Sequence, residues 1–291
     1  MGKEWEGFLR LSLSTSLKVL ALSIVAYFIA TWLLKEPFPD TLPQTSSLNS
    51  EMTLISHAGA GLPVGAYSNS REALERGVAD GLNFLEVDFS WTSDGNLVLL
   101  RDWYQEFDSW FDPSLLYKVR RKLAGRPLPM TTETFLDLEM RHGLTQMTLK
   151  DLALWLAAHP DVSIITDVKS ENLRGLLLIS EIMPNAQRRV VPQIYSFEEY
   201  APVRDMGYEQ IIFTGYNSAA SDRDIRDFAA QHDLMAVTLP QHRLSSETLS
   251  ALSDMNTPLW THTVNDPDLA EQLFHLGVDG LYTDTLVPWQ K

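Results

Sequence analysis

The chain has 291 residues, no cysteine, 45% apolar residues and a formal net charge of −15 at pH 7. This composition can form a folded core in one large domain or two modest ones. It excludes disulfides, zinc–thiolate sites and thiol nucleophiles, and the excess of acid argues against nucleic acid as a partner, because phosphate binding needs a basic surface.

The N-terminal residues form an apolar segment. Val19–Leu34 is a run of 16 uncharged residues, and Leu11–Leu17 extends it if Lys18 turns its ammonium toward lipid headgroups. We expect an uncleaved membrane anchor over residues 1–35. A cleaved signal peptide and a buried soluble helix are the alternatives, and the bulky, proline-containing residues that follow do not suit a cleavage site.

Basic side chains at Lys3, Arg10 and Lys18 precede the apolar run. The positive-inside rule then predicts a single-pass protein whose folded part lies on the extracytoplasmic side of the membrane. Residues 36–50 hold three prolines and a Ser/Thr cluster, which is typical of an extended linker. The folded domain is predicted to cover residues 51–291.

Apolar, β-branched runs alternate with helical patterns from residue 51 onward. The runs are "MTLISH", "FLEVDF", "VSIITDV", "VVPQIY", "QIIFTG", "LMAVTL", "LWTHTV" and "GLYTD". Nearly continuous hydrophobic strands of this kind are typical of a parallel sheet covered by helices. Eight such repeats in about 240 residues predict a (β/α)8 TIM barrel, and a doubly wound open sheet is the main alternative.

Helix boundaries follow from capping residues. Asn69 with Glu72, and Thr148 with Asp151, have the spacing of capping boxes. Gly81 suits a left-handed helix stop.

The run "NLVLLRD" interrupts the alternation. It follows "FLEVDFSW" after the short turn "TSDG", which leaves no room for a crossover helix and so predicts an antiparallel hairpin. Counting outward from the turn places Arg101 opposite residues 86–88. Glu86 and Asp88, two residues apart on a strand, point to the same face.

Two carboxylates on one face of an otherwise apolar strand are costly to bury without a cation. They could form a structural ion pair with Arg101 or Lys169, or they could bind Mg²⁺ or Ca²⁺ through oxygen ligands. Asp167, in "IITDVKS", supplies a third acid late in a barrel strand, with Lys169 on the same face. We favour the metal site because several strand ends agree.

His57 follows the first strand in the small-residue loop "HAGAG". Beside a metal site, this histidine is predicted to act as a general acid or base, or as a nucleophile. The loop lacks the Gly-Lys-Ser/Thr ending of a P-loop, so nucleotide binding is not predicted.

Several motifs occur in a familiar order: "ISHAG", "NSREALERGVADGLNFLEVDFSWTSDGNLVLLRDW", "TDVK", "PQIY" and "THTVND…LGVDGLYTD". Over residues 51 to about 288 the chain resembles the glycerophosphodiester phosphodiesterase family, which is grouped with phosphatidylinositol-specific phospholipase C and sphingomyelinase D. The resemblance implies a TIM barrel that hydrolyses a phosphodiester with a divalent cation.

The same resemblance implies roles for individual residues. His57 matches the histidine of the family's His-Arg-Gly motif, with Ala58 at the arginine position, and Glu86 and Asp88 match its Glu-x-Asp metal pair. The remaining matches are Asp167 and Lys169 to the family's Glu-x-Lys motif, with Asp as in the sphingomyelinase D branch, and Asn265 as a supporting residue in the Thr-Val-Asn segment.

The chain departs from the family pattern at Arg101-Asp102, where family members usually have His-Asp. Arginine cannot transfer a proton, but it can hold a phosphate oxygen. Three outcomes stay open: an enzyme with one histidine, an enzyme that recruits His142 or His262, or a barrel that binds a phosphorylated ligand without turnover. Release of a cyclic phosphate, as in sphingomyelinase D relatives, is an alternative to hydrolysis.

Residues from about 103 to 147 interrupt the barrel repeat as an inserted rim segment. Five basic residues cluster there: Lys118, Arg120, Arg121, Lys122 and Arg126. They could form a solvated helix face. Alternatively, the insertion could contact anionic headgroups or a phosphoryl substrate, aided by Trp103, Trp110 and Phe111.

Together these patterns predict a membrane-tethered, metal-dependent phosphodiesterase that acts on a glycerophosphodiester or a phospholipid headgroup. Glu86, Asp88 and Asp167 are the expected ligands of Ca²⁺ or Mg²⁺. His57 is the expected catalytic group, and Lys169 and Arg101 are expected to hold phosphate oxygens, with Arg101 also a candidate catalytic residue.

Overall fold

The computed structural model describes residues 47–48, 52–216 and 218–288. The predicted membrane anchor (residues 1–35) and most of the predicted linker (residues 36–50) lie outside these residues, so both stay predictions. Among the described residues, no helix is both long enough and apolar enough to cross a membrane.

Eleven strands are described, most of them short and buried. They are β1 (Ser47–Leu48), β2 (Thr53–Ser56), β3 (Phe84–Trp91), β4 (Leu97–Leu99), β5 (Ser163–Val168), β6 (Val190–Ile194), β7 (Ile212–Thr214), β8 (Ala236–Pro240), β9 (Leu259–His262), β10 (Gly280–Thr283) and β11 (Val287–Pro288). Eight of them form the parallel sheet of the barrel, in the order β2-β10-β9-β8-β7-β6-β5-β3, and β1 pairs with β11 in a separate two-stranded sheet. Because β3 also pairs with β2, the sheet closes into a barrel. The predicted TIM barrel is confirmed, and the open sheet is excluded.

Helices connect the barrel strands. They are α1 (Arg71–Ala79), α2 (Gln105–Trp110), α3 (Leu115–Ala124), α4 (Thr132–Leu136), α5 (Leu149–Ala158), α6 (Asn172–Ile182), α7 (Ala186–Arg189), α8 (Tyr200–Asp205), α9 (Asp222–Gln231), α10 (Ser246–Leu252) and α11 (Pro267–His275). Short 3-10 turns lie at His57–Gly59, Arg141–Gly143, Phe197–Glu199 and Gln241–Arg243. Barrel strands that follow one another along the chain are therefore joined by helical crossovers, as parallel pairing requires.

Two of the three predicted helix boundaries are confirmed. Thr148 and Asp151 form a capping box at the start of α5, and Gly81 has the left-handed φ of +83°. The predicted cap at Asn69 is wrong, because Ser70 caps α1 by accepting a hydrogen bond from the Ala73 N–H. The Asn69 side chain bonds to Asp88 instead.

The predicted hairpin is confirmed. Strands β3 and β4 pair antiparallel, with Phe89 opposite Leu99 and Trp91 opposite Leu97. The turn between them uses Gly95 at φ +80°, a conformation that costs glycine little. The hairpin returns the chain so that Arg101, just beyond β4, lies beside the middle of β3.

Apolar side chains fill the barrel interior below its carboxyl end. This interior cluster consists of Ile55, Ile165, Val191, Ile212, Ala236, Trp260 and Tyr282. Ile165 lies on β5 two residues before Asp167, so both side chains point to the same face of the strand. The filled interior leaves the open site at the carboxyl ends of the strands, as in other barrels of this type.

The insertion over residues 103–147 has an apolar cluster of its own, to which β4 also contributes. Its buried members are Val98, Leu100, Trp103, Phe107, Trp110, Phe111, Met130, Phe135 and Met140. The cluster packs against Val64, in the loop that follows β2, so the segment lies at the barrel rim as predicted. The hypothesis that Trp103, Trp110 and Phe111 face lipid is wrong, because these side chains are 1 to 4% exposed.

Candidate active site

Polar side chains from several strand ends converge on one cavity at the carboxyl end of the barrel. The cavity has a volume of about 280 Å³. It is lined by His57, Tyr67, Glu86, Arg101, Asp167, Gln193, Thr214, Tyr216, His262, Thr263 and Tyr282. Four of the six predicted site residues line it directly, and the other two, Asp88 and Lys169, contact the lining residues.

Three buried carboxylates form the centre of the site. Glu86, Asp88 and Asp167 are 2, 0 and 8% exposed, and each offers one oxygen within 4.8 Å of the other two. Asp88 and Asp167 are direct neighbours across the β3–β5 pairing. The predicted convergence of these acids is confirmed, and their oxygens are the donors that Mg²⁺ and Ca²⁺ prefer.

Backbone and amide donors fix two of these carboxylates. The Ala58 N–H donates to Glu86 Oε2 at 2.8 Å, an orientation that places Ala58 in the left-handed region at φ +49°. Asn69 makes a double contact with Asp88: its Nδ2 donates to Oδ2 at 2.8 Å, and its Oδ1 accepts from the Asp88 N–H at 2.9 Å. The loop after β2 therefore holds the acids of β3 in place.

Two cationic side chains neutralise part of this negative charge. Lys169 Nζ contacts Asp88 Oδ1 and donates to Asp167 Oδ2 at 2.5 Å. Arg101 Nη1 lies 3.9 Å from Asp88 Oδ1, and its guanidinium stacks over the Tyr67 ring at 4.7 Å. Both cations thus lie beside the carboxylates, as predicted.

The pKa values of Glu86 and Asp88 reflect the negative charge of the carboxylate cluster. Burial and the neighbouring Asp88 charge raise the pKa of Glu86 to about 8. Burial also opposes ionisation of Asp88, but Lys169 and Arg101 outweigh it and lower its pKa. Two fixed cations are thus not enough to keep all three carboxyl groups ionised near pH 7, and a divalent cation would supply the charge that Glu86 needs to ionise.

A second unit of the site pairs His57 with an acid from the last barrel strand. His57 Nδ1 lies 2.9 Å from Asp284 Oδ1. Asn265 supports Asp284 from both sides, since its Nδ2 donates to Oδ2 at 2.7 Å and its Oδ1 accepts from the Asp284 N–H at 2.8 Å. The supporting role expected of Asn265 thus acts through Asp284.

The charge around His57 favours its protonated form. Burial alone would lower the pKa of His57, but the hydrogen bond with Asp284 and the charges of Glu86, Asp284 and Asp88 raise it. Because Asp284 occupies Nδ1, Nε2 is the nitrogen left for a bound ligand.

Two tyrosines contact the third carboxylate. Tyr195 donates to Asp167 Oδ1 at 2.5 Å, and the Tyr216 hydroxyl lies 3.5 Å from the same oxygen. Burial raises the pKa of Tyr216 to about 12, so its hydroxyl stays protonated and donates. These contacts satisfy Asp167 Oδ1, while Oδ2 accepts the hydrogen bond from Lys169.

The two further candidate histidines differ in position. His262 lines the cavity between the Tyr216 and Tyr282 rings, and burial together with the His57 charge lowers its pKa to about 4. It is therefore neutral near pH 7. His142 lies against the Trp110 ring and lines a separate cavity in the insertion.

Sequence reasoning missed Asp284, Asn69 and Tyr67. Asp284 follows β10 directly, and an acid after a barrel strand is a usable signal. Its partnership with His57 depends on the β2–β10 pairing that closes the barrel. Tyr67 offers no comparable signal, because an aromatic residue in a long loop is common.

Comparisons with known proteins agree with this fold. The sequence model of the glycerophosphoryl diester phosphodiesterase family matches residues 57–287. A glycerophosphodiester phosphodiesterase structure from Parabacteroides distasonis is 20% identical, covers 81% of this chain and 93% of its own, and superposes with a TM-score of 0.60. One from Thermotoga maritima is 16% identical, with coverages of 82% and 96% and a TM-score of 0.59.

A third similar structure carries a ligand. It is an Oleispira antarctica phosphodiesterase in complex with the product sn-glycerol-3-phosphate, 14% identical, covering 80% of this chain and 93% of its own, with a TM-score of 0.60. At these identities the structural likeness establishes the fold, and the family match covers most of the barrel.

Proposed function

The chain belongs to the glycerophosphoryl diester phosphodiesterase family, a family of phosphoric diester hydrolases, and on this premise we propose that it hydrolyses glycerophosphodiesters or lipid headgroups with the aid of Mg²⁺ or Ca²⁺. The observation that carries the proposal is the buried cluster of Glu86, Asp88 and Asp167, which shares one cavity with His57. A binding pocket for a neutral ligand would have no need of this charge.

Glu86, Asp88 and Asp167 are the residues that would hold the cation. When bound, the ion supplies Lewis acidity toward a phosphoryl oxygen and lowers the pKa of the reacting hydroxyl. The fixed hydrogen bonds from Ala58 and Asn69 orient two of the carboxylates before any ligand arrives, which reduces the reorganisation that binding requires.

Arg101 and Lys169 are proposed to bind the non-bridging phosphate oxygens. Arg101 is held at the cavity wall between the Tyr67 ring and Asp88, so its planar group is oriented before the substrate binds. Such a guanidinium forms paired charge-assisted hydrogen bonds with a phosphate and stabilises the additional negative charge of the transition state.

His57 is proposed to donate the proton that the leaving alcohol requires. A water oxygen bonds to phosphorus as the bond between phosphorus and the alcohol oxygen breaks, and the alcohol oxygen takes the proton from His57 Nε2. The proton that the water loses passes to solvent, from which His57 is protonated again. The Asp284 hydrogen bond at Nδ1 orients the ring and stabilises the imidazolium. Arg101 does not donate or accept this proton, because a guanidinium stays protonated.

A second candidate function is supported by Lys169. Its ammonium lies between Asp88 and Asp167, so the chain itself supplies a cation at the carboxylates. The same barrel could then bind a phosphorylated ligand without turnover. Both functions predict phosphate binding, and only the first predicts a product.

The experiment that separates them uses the purified full-length protein and glycerophosphocholine. We expect release of choline and glycerol phosphate that stops with a chelator and returns with Mg²⁺ or Ca²⁺. Phosphorus NMR of the product distinguishes hydrolysis from release of a cyclic phosphate. Asp88→Asn should abolish turnover, whereas Asp254→Asn, at an exposed helix end, should not. Phosphate binding without any product would establish the second function.

We also propose that residues 1–35 tether the barrel to a membrane, with the barrel on the extracytoplasmic side. The support is the uncharged run Val19–Leu34 and the basic residues before it. Protease accessibility of the barrel in intact spheroplasts, against lysed ones, tests this orientation. Digestion only after lysis would contradict it.

A further inference from the structure

Helix α3 of the insertion presents an apolar face to solvent. Four of its side chains are 45 to 83% exposed: Leu115, Leu116, Val119 and Leu123. Their spacing of i, i+1, i+4 and i+8 places them on one side of the helix. A surface helix of a globular protein normally turns such a stripe toward the core, so this arrangement requires an explanation.

Polar contacts fix the opposite side of α3 against the rest of the insertion. Arg121 is 6% exposed and pairs with Asp108. The Tyr117 hydroxyl donates to the Leu128 carbonyl at 2.6 Å, and the Tyr117 ring packs on the insertion's apolar cluster. Rotating the leucines inward would break these contacts, so their exposure is a stable feature of the helix.

Basic residues flank the exposed stripe. At 3.6 residues per turn, Lys122 borders one side of the stripe and Arg120 borders the other, and both are exposed. Lys118, next to Lys122 on the helix surface, pairs with Asp112 at 2.6 Å. Residues 113–132 contain five basic residues and no acidic one, in a chain whose net charge is −15.

From these observations we propose that α3 docks on the surface of an anionic lipid bilayer. The helix lies in the plane of the membrane, with the four apolar side chains at the boundary between headgroups and acyl chains. Arg120 and Lys122 then meet the anionic headgroups. This is a surface contact by ten residues of helix, Leu115–Ala124, and it is separate from the predicted N-terminal anchor.

Self-association explains the exposed apolar stripe of α3 less well than lipid docking does. In a two-fold symmetric contact each patch faces its own copy. Arg120 and Lys122 border the stripe on both sides, so such a contact would bring positive charges together around a small apolar area. A bilayer containing anionic lipid supplies both the apolar and the negative partner.

The insertion that carries α3 packs beside the candidate active site. The insertion packs against the loop after β2 through Val64, and that loop continues to Tyr67, which lines the cavity. Docking by α3 would therefore hold at the lipid surface a segment that packs against a loop of the cavity wall. The inference about α3 does not depend on the proposed hydrolysis.

The absence of cysteine allows a single-site probe in the full-length protein. Leu123→Cys carries an environment-sensitive NBD label, and Leu154→Cys is the matched control, because Leu154 is 74% exposed on the barrel helix α5. Both proteins are mixed with vesicles of phosphatidylcholine alone or with phosphatidylglycerol, with and without brominated acyl chains. Because the label reports α3 itself, the result does not depend on how the N-terminal residues contact lipid.

We expect the label at position 123 to shift to shorter wavelength and to be quenched by bromine only in the vesicles with phosphatidylglycerol. The label at position 154 should show neither effect. In the labelled protein, Arg120→Gln with Lys122→Gln should lower the docking equilibrium constant roughly 30-fold. Leu115→Ser should lower it roughly tenfold. Unchanged melting temperatures will show that these surface variants are folded.

Two results would overturn the proposal. One is equal quenching at positions 123 and 154, or none at either, with anionic vesicles. The other is a spectral shift at position 123 that needs no lipid and grows with protein concentration, which would assign the face to a second copy. Turnover of soluble glycerophosphocholine is measured in the same variants and should not change, so failure of the docking proposal and failure of the proposed hydrolysis are separable.

Discussion

Replacing Asp284 by asparagine tests the proposed role of His57. The two side chains are about 10% exposed and their polar atoms are 2.9 Å apart. A hydrogen bond to a charged group contributes about 1.5–3 kcal/mol, which corresponds to about 10- to 150-fold in rate. In Asp284→Asn the amide can donate to Nδ1, which places the imidazole proton on Nε2 and leaves the ring neutral. We expect kcat/KM to fall by about 10- to 150-fold.

The pH dependence of kcat/KM tests the direction of the change in the pKa of His57. Burial lowers the pKa of His57, and the Asp284 hydrogen bond and charge help to raise it above its usual value. An acid must be protonated to act, so activity is lost as pH rises through this pKa. In Asp284→Asn the pKa falls, and the alkaline limb of kcat/KM should move to lower pH. The assay is the initial rate of glycerophosphocholine hydrolysis from about pH 5 to about pH 9.

Asp266→Asn is the matched control. Asp266 caps α11 by accepting hydrogen bonds from the Asp268 and Leu269 N–H groups, a role that asparagine performs equally well. It follows the same barrel strand as Asn265, and we expect wild-type kinetics. An Asp284→Asn protein with wild-type kcat/KM and an unmoved alkaline limb would refute the proposed role of the pair.

Three further changes test other parts of the structure. Without metal, the raised pKa of Glu86, about 8 against the usual 4.5, means that ionisation opposes folding. Stability should therefore fall as pH rises through that window, by on the order of 5 kcal/mol, and Glu86→Gln or saturating Mg²⁺ should flatten the slope in urea unfolding. Arg101→Lys should lower kcat/KM by roughly tenfold and Arg101→Ala by roughly 100-fold, because only the guanidinium offers two parallel donors; unchanged steady-state kinetics would exclude phosphate binding by Arg101. Phe107→Ala, at a fully buried position of the insertion, should cost about 3–5 kcal/mol in thermal unfolding, and a smaller loss would indicate a loosely packed insertion.

The barrel was predictable because its signals are local. Hydrophobic runs such as "FLEVDF" alternate with helical patterns, and the five-residue connection between β3 and β4 allows only a hairpin. The insertion was less predictable. Its apolar residues indicate a core, but hydrophobicity alone does not tell whether Trp110 or Leu123 faces inward. For Leu123, the pairing of Arg121 with Asp108 fixes the rotation of α3 and so determines which residues of this helix face outward.

The residues of the site that lie on neighbouring barrel strands were predictable from the sequence. Glu86, Asp88 and Asp167 could be placed together because residues on parallel strands end at one rim. Asp284 could not be paired with His57 in this way, because the two residues are 227 positions apart and only barrel closure brings them together. The spacing of Asn69 and Glu72 predicts a capping box, but the sequence does not show that the Asn69 amide bonds to the buried Asp88 instead.

The central claim is that three buried carboxylates at the barrel mouth bind one divalent cation. Anomalous scattering from crystals soaked with Mn²⁺, a substitute for Mg²⁺ in oxygen sites, tests it directly. We predict one strong peak within ligand distance of Glu86, Asp88 and Asp167, and its loss in Asp88→Asn. A peak at another site, or no peak while Lys169 still bridges Asp88 and Asp167, would contradict the account.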